Sequence, residues 1–458
     1  MKSLHMVLRF AVVGGLVLLL LVPLLMIRGV VTERSLFRDE AFQRVAESRA
    51  GSQQLVGPVR VVPWIERREV EVVDKTGRQS TETVVTHGHR LQMPRRMVVD
   101  GRLLPDQRQI GIFKVPVYSW MGSIRVGFSA DAAPPPRPGR TYGQPYIAFG
   151  VSDVRGLVGS PVLKQDGRAL RLLPGVPNAE ALGPGLHALQ PETGGVADGA
   201  LQATTLELSL QLDGSRAFSV VPVADDNQIA LRSRWPHPSF AGAFLPNQRR
   251  VDDQGFEARW SVSSLASNAQ QQLVAGEAGL QAVQVSLVDP VDVYTQVDRA
   301  SKYGVLFVVL TFVGFILFEL VRRLRIHPLQ YLMVGLALAV FFLLLLSLSE
   351  HIAFWQAYVV SAVACIGLQA MYLAHVLGHW RRGLGFAAML TGLYGALFGL
   401  LVSENNALLM GSLLLFAILA VAMWVTRRVD WYALGSVAPD AGEERPGEPP
   451  QLPGRPPG

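Results

Sequence analysis

Residues 329–348 read LQYLMVGLALAVFFLLLLSL, twenty consecutive residues without a charged side chain. The hydrocarbon core of a bilayer requires about 20 apolar residues per spanning helix, with a lower limit of about 17. Five further, predominantly apolar segments have this length: 10–27, 304–321, 352–377, 384–402 and 407–425. The sequence therefore predicts six transmembrane helices, of which the last five form a bundle within residues 302–426.

The short loops between these segments differ in their content of lysine and arginine. The loops after the second and fourth spans and the start of the tail carry seven arginines: Arg322, Arg323, Arg325, Arg381, Arg382, Arg427 and Arg428. The loops after the third and fifth spans carry neither lysine nor arginine. Because cytoplasmic loops are enriched in these residues, we predict that residues 1–9 and 427–458 are cytosolic.

The first span and the C-terminal tail add two further expectations. No small-x-small cleavage site follows Ile27, and the apolar stretch is longer than that of a signal peptide, so residues 10–27 are predicted to be an uncleaved signal anchor. The tail from about residue 437 is rich in proline, glycine and charge. Such a composition buries little apolar surface and predicts disorder.

Charge and cysteine content exclude several classes of protein. The net charge is +6, but residues 28–301 contain 30 basic and 28 acidic residues, so most of the excess lies beside the spans. That distribution is a topology signal and argues against nucleic acid as a partner. Cys365 is the only cysteine, which excludes an intramolecular disulfide and a cysteine-built metal cluster.

Residues 28–301 show the period-two alternation that is typical of half-buried strands. It occurs at 124–128, 206–212, 256–262 and 283–287, with glycine and proline between. Asp213-Gly214 predicts a turn that joins the strand at 206–212 to a return strand at Phe218 and Val220 as a hairpin. The predicted fold class is a polytopic α-helical membrane protein with a large, mainly-β extracytoplasmic domain on a short helical stalk, with two packed sheets as one arrangement.

Within this domain, the sequence Trp235-Pro236-His237-Pro238-Ser239-Phe240 combines aromatic residues with two prolines. One interpretation is a rigid partner-binding loop with Trp235, His237 and Phe240 as its contact residues. The alternative is a turn buried against the core of the domain.

Glu319 and Gln369 are candidates for an intramembrane polar site, because polar groups are costly in lipid. Glu319 is either a proton or ion site or an interfacial ion-pair partner of Arg322 and Arg323 at helical spacing. Gln369 either contacts substrate or bonds to a neighbouring helix.

The sequence contains no His-Glu-x-x-His, no Gly-x-Ser-x-Gly and no phosphate-binding glycine loop. We therefore predict no catalytic, cofactor-binding or metal-binding residue and expect a protein that is not an enzyme. Carboxylate pairs that are distant in the chain leave an envelope-modifying enzyme as an open alternative.

Several segments resemble those of one protein family. They include Arg325-Ile326-His327-Pro328-Leu329-Gln330, Ser347-Leu348-Ser349-Glu350-His351, Ser403-Glu404-Asn405-Asn406 and, in the β domain, Trp235-Pro236-His237-Pro238. With these segments the chain resembles the CreD family of inner-membrane proteins from about residue 34 to residue 432. The resemblance implies a periplasmic location for residues 28–301 and a role in cell-envelope integrity or envelope-stress response, without defined catalytic residues to transfer.

Two functions follow as expectations. The first is a non-enzymatic envelope factor whose β domain binds an unidentified periplasmic or envelope protein. The second is a transporter or channel component that uses the five-helix bundle. The expected partners are the lipid bilayer and that protein, with the oligomeric state left open.

Overall fold

The computed structural model describes residues 2–48, 50–73, 79–177, 179–191, 200–287, 293–322, 327–376, 380–402 and 407–427. The chain divides into two units. One comprises Met1–Arg34 with Val293–Gly458, and the other comprises Ser35–Asp292. The first contains the apolar helices and the second is the mainly-β domain. The tail from residue 437, where we predicted disorder, lies outside the described residues.

Nine strands of the β domain form one sheet, which we call sheet A. Numbered in chain order, they are β1 (Gln53–Val73), β2 (Gln79–Gln92), β5 (Arg140–Tyr142), β6 (Tyr146–Val151), β9 (Leu173–Pro174), β10 (Gly185–Leu189), β12 (Ala217–Val220), β14 (Pro238–Gly242) and β17 (Val283–Leu287). Their order is β14–β17–β12–β1–β6–β10–β9, and β2 and β5 also pair with β1. Strand β1 therefore has four partners.

Eight further strands form the second sheet, sheet B. They are β3 (Arg96–Ile110), β4 (Phe113–Phe128), β7 (Leu157–Gln165), β8 (Arg168–Leu170), β11 (Thr204–Ser215), β13 (Asp226–Ser233), β15 (Gln248–Asp252) and β16 (Gly255–Ser263). Their order is β15–β16–β13–β3–β4–β11–β7–β8, and β13 runs parallel to β3.

The two sheets pack face to face over one hydrophobic core, which is the arrangement that the sequence offered as one possibility. In β11, Leu206 and Leu208 are fully buried, while Glu207 and Ser209 between them are exposed. The rings of Trp120 on β4 and Phe218 on β12 stack between the sheets with centroids 4.9 Å apart. Because burial of large aromatic side chains contributes strongly to a core, this stack is a principal contact between the two layers.

The hairpin predicted over residues 206–220 is wrong. Asp213 and Gly214 do not form a turn, because β11 continues through them and pairs with Ser119 and Tyr118 of β4. The chain turns at Arg216, which has a positive φ of 62°, and β12 then joins sheet A between β1 and β17. The alternation was read correctly, but period two specifies which face a residue takes and not which strand it pairs with.

The other unit is helical. Its helices are α1 (Lys2–Ser48), whose residues after Arg34 belong to the β-domain unit, α3 (Val293–Lys302), α4 (Gly304–Arg322), α5 (Pro328–Ser349), α6 (Phe354–Val376), α7 (Trp380–Val402) and α8 (Ala407–Thr426). The short helix α2 (Ala269–Ala275) belongs to the β domain.

Within the described ranges, four helical segments are long and apolar enough to cross a membrane: Ala11–Ser48, Pro328–Ser349, Phe354–His375 and Gly383–Val402. Helices α3 and α4, bent by 44° at a short break, form a fifth if they are counted together, and the described apolar part of α8, Leu409–Val421, is shorter. The predicted membrane-spanning character is thus supported by four to five helices. The predicted count of six stays a prediction.

The N-terminal part of α1 packs against the other helices of its unit. Leu20 and Leu24 are buried at helical spacing, and Leu20 lies so close to Gly335 of α5 that a Cβ there would be 2.1 Å from its Cδ1. At the C-terminal end of α5, Glu350 accepts a 3.1 Å hydrogen bond from the hydroxyl of Tyr294 and lies 3.8 Å from Arg34. The predicted signal anchor is therefore also a structural part of the helical unit.

The contact between Trp120 and Gly101 generates a prediction about stability. A Cβ at Gly101 would lie 2.2 Å from Nε1 of the fully buried Trp120, so the indole would have to leave its stack with Phe218. We expect Gly101→Ala to lower the free energy of unfolding by about 1–3 kcal/mol, the usual cost of overpacking. Tryptophan fluorescence during thermal unfolding of the full chain in detergent measures this. Gly127→Ala, where a Cβ would meet nothing within 4 Å, is the control, and equal unfolding of both variants would contradict the prediction.

Candidate binding sites

The segment 235–240 begins in the connection after β13 and continues into β14, and the structure places its three predicted contact residues differently. Trp235 is half-buried and packs against the core, and its indole N–H donates a 3.1 Å hydrogen bond to the carbonyl of His237. His237 is exposed. Of the three side chains, His237 is therefore the one presented most fully to solvent.

Phe240 ties the two sheets together. It lies on β14 of sheet A, opposite Val285 of β17. Its ring packs edge-on against Phe256 and Trp260 of sheet B, at centroid distances of 5.7 and 5.9 Å. These contacts fit the alternative interpretation, a turn packed on the domain core, for Trp235 and Phe240. Partner binding by this loop stays a prediction.

A hollow of about 380 Å³ lies on the outer face of sheet B. Its floor is Ala230 of β13, whose directly opposite neighbours are Asp100 on β3 and Arg259 on β16. The methyl group of Ala230 is far shorter than the side chains around it. The outward side chains of Gln228 and Arg125 line the hollow beside Asp100 and Arg259.

An ion-pair network runs along one side of this hollow. Glu257 accepts a 2.8 Å bond from Arg259 and lies 3.4 Å from Arg232, which lies 3.4 Å from Asp100. The hydrogen bond from Arg259, assisted by Arg232, lowers the pKa of Glu257. Glu257 and Asp100 are therefore already paired with the two arginines.

Arg125 lies on β4, at the side of the hollow formed by β3 and β4, directly opposite Val98 of β3. It is exposed and has no ion-pair partner among the residues that the structure describes. Gln228 lies two strands away from it, across Val98 of β3, and Asn247 and Gln248 line the far side of the hollow, beside β16. An exposed guanidinium group with free donors is suited to a carboxylate or another planar anionic group.

Sequence reasoning missed this hollow. The alternation at 124–128 predicted that Arg125 points away from the core, but it gave no information on its neighbours Asp100 and Gln228. They meet because β3 pairs in parallel with β13, a strand about 130 residues later in the chain. The excess of polar side chains at the outward positions of these strands was the one signal in the sequence.

The two intramembrane candidates have different outcomes. Gln369 lies on α6, is 2% exposed, and neither of its amide atoms has a hydrogen-bond partner among the described residues. The bond to a neighbouring helix that we considered for it is thus not seen within that part of the chain. Glu319 lies in α4, but its side chain is outside the described residues, so both interpretations of it stay predictions.

Within the described residues, no three His, Cys, Asp or Glu side chains lie close enough to hold a metal ion.

Comparison with known proteins gives two findings. A family model described as "Inner membrane protein CreD" matches residues 5–432. Inner membrane protein CreD of Escherichia coli (strain K12) is 36% identical to this chain over 424 residues, which is 92% of each protein. The chain therefore belongs to the CreD family of inner-membrane proteins.

The placement of the 235–240 loop predicts different effects for its members. Phe240→Ala removes the contacts with Phe256 and Trp260, and we expect it to lower the free energy of unfolding by about 2–3 kcal/mol. His237→Ala removes an exposed side chain, and we expect a change within about 0.5 kcal/mol. Thermal unfolding of both variants in the full chain measures the difference. Equal stability of the two would contradict the packing described here.

Proposed function

We propose that this CreD-family protein is a non-enzymatic inner-membrane component that contributes to cell-envelope integrity or the envelope-stress response. In this proposal, the protein acts by binding another envelope protein through its β domain. The observation that carries the proposal is the hollow on the outer face of sheet B, which is lined by Arg125, without an ion-pair partner among the described residues, and by the amides of Gln228, Asn247 and Gln248. The occupant that suits this chemistry is an envelope protein that presents a carboxylate side chain or terminus.

The proposal includes a topology in which the β domain lies in the periplasm. Six spans, 10–27, 304–321, 329–348, 352–377, 384–402 and 407–425, place both termini in the cytosol. The supporting observation is that the seven loop and tail arginines all fall on one side of such an arrangement. Under this topology the hollow is open to partners in the periplasm.

A second candidate function is a transporter or channel component, and one observation favours it. Gln369 is a buried amide without a described partner in an apolar helix. Polar groups inside a membrane bundle commonly mark a substrate or ion pathway. The two candidates therefore differ in which unit carries the activity.

Complementation of a strain that lacks the protein distinguishes the two candidates. We expect Arg125→Glu, which reverses the charge of the hollow, and Ala230→Tyr, which fills it, each to abolish rescue of detergent sensitivity at normal expression. Arg168→Glu, at the other end of sheet B on β8, is the matched control and should rescue fully. Normal rescue by both hollow variants would overturn binding at this site, and loss of rescue in Gln369→Leu alone would favour the transporter.

The topology predicts which positions an impermeant thiol reagent reaches in intact cells. Cys365→Ser removes the only cysteine, and single cysteines are then introduced one at a time. We expect His351→Cys, Asn405→Cys and Thr81→Cys to be labelled in intact cells, and Arg381→Cys and Val437→Cys only after lysis. Labelling of Val437→Cys in intact cells would contradict a cytosolic tail and therefore the count of six spans.

A further inference from the structure

One face of α6 carries a row of polar side chains. Tyr358, Ser361, Cys365 and Gln369 follow one another at spacings of three, four and four residues, which places them on one side of a helix. All four are at most 3% exposed. The side chain of Ala362 beside them is also buried, and three of these five side chains are small.

Helix α7 packs tightly against α6. The hydroxyl of Tyr358 donates a 2.7 Å hydrogen bond to the carbonyl of Tyr394 on α7. Near the start of α7, a Cβ at Gly383 would lie 2.9 Å from the carbonyl oxygen of Ala370. The ring of Tyr394 is itself enclosed by Phe307 and Phe341, each at a centroid distance of 4.7 Å. We call Tyr358, Ser361, Cys365, Gln369 and Tyr394 the polar seam.

The polar seam contains an unusual concentration of unsatisfied hydrogen-bonding groups. Nine buried side-chain atoms lack a hydrogen-bond partner among the described residues, and four of them belong to the seam: Ser361 Oγ, Gln369 Nε2, Gln369 Oε1 and Tyr394 Oη. A buried polar group without a partner is costly, and in an apolar bundle there is no bulk water to compensate. Four such atoms in one seam point to a ligand that supplies both donors and acceptors.

The chemistry of the seam restricts that ligand. The amide of Gln369 offers both donors and acceptors, and the hydroxyl groups offer either. Among the described residues, no Asp, Glu, Lys or Arg lies on the buried face of α6 or α7, so these two helices offer an ion no countercharge. The ligand is therefore small, neutral and able to donate and accept hydrogen bonds.

We propose that the polar seam binds water inside the helical unit. Ser361, Cys365 and Gln369 occupy successive turns about 6 Å apart along the helix. Two hydrogen-bonded waters, with oxygens separated by about 2.8 Å, bridge such an interval. Bound water gives the hydroxyls and the amide the partners that the described protein atoms do not supply. This inference does not depend on what the β domain binds.

The sole cysteine provides a direct probe, because Cys365 lies between Ser361 and Gln369. The S–H stretching band of a single thiol is read by infrared spectroscopy, and it is replaced by an S–D band when water reaches the thiol in deuterated buffer. The experiment uses the full chain reconstituted in phospholipid vesicles. We expect the Cys365 thiol to exchange readily, and Gln369→Leu to slow this exchange by about tenfold or more because the amide no longer holds water.

Two variants keep the test decisive. Val363→Cys in a Cys365→Ser chain places a thiol on the exposed face of the same helix, where Val363 is 65% exposed, and it should exchange at least about tenfold more slowly in lipid than Cys365. Gln369→Asn retains an amide and should exchange like the native chain. Circular dichroism checks that each variant is folded. Exchange at Cys365 as slow as at Val363→Cys, or unaffected by Gln369→Leu in a folded protein, would overturn the proposal.

Discussion

Every buried backbone N–H and C=O group needs a hydrogen-bond partner, and the two units of this protein meet that requirement in opposite ways. In an apolar run such as 329–348, the partners are four residues away within the same helix, α5. In the β domain they come from other strands, as where Gln53 of β1 lies opposite Phe218 of β12. The first solution depends only on the local sequence and the second depends on the whole fold.

Because of this difference, a polar side chain without a partner indicates a binding site more strongly in the helical unit than in the β domain. On the outer face of sheet B, Arg232, Asp100 and Glu257 pair with one another in contact with solvent, and the unpaired Arg125 beside them suggests a binding surface. Inside the helical unit, the backbone N–H and C=O groups bond to each other within each helix. The amide of Gln369 therefore depends on side chains, carbonyls or ligands from other helices for its hydrogen bonds. A buried amide without a described partner is therefore a stronger indication of a site than an exposed arginine.

The core of the β domain depends on contacts between distant parts of the chain. Trp120 fits over Gly101 on the neighbouring strand and stacks on Phe218 from the other sheet. Phe240 makes the corresponding link at another position, between β14 and the aromatic residues of β16. Of the two interpretations of 235–240, a partner-binding loop or a turn packed on the core, the contacts of Phe240 fit the second, and this residue helps to close the sandwich.

By itself, the sequence determined the apolar helices, the mainly-β character of the intervening domain and the faces of strands such as 206–212. These features have periods of 3.6 or 2 residues, or a length set by the bilayer, and they are local. The same limit explains the wrong hairpin at Asp213-Gly214, because alternation continues unchanged when a strand passes from one sheet to the next. Only the tertiary structure decided that β13 lies beside β3, which assembles the hollow around Ala230, and that Tyr394 of α7 meets the polar face of α6. Neither neighbour is specified by local periodicity, because pairing and packing depend on the shape of the whole core.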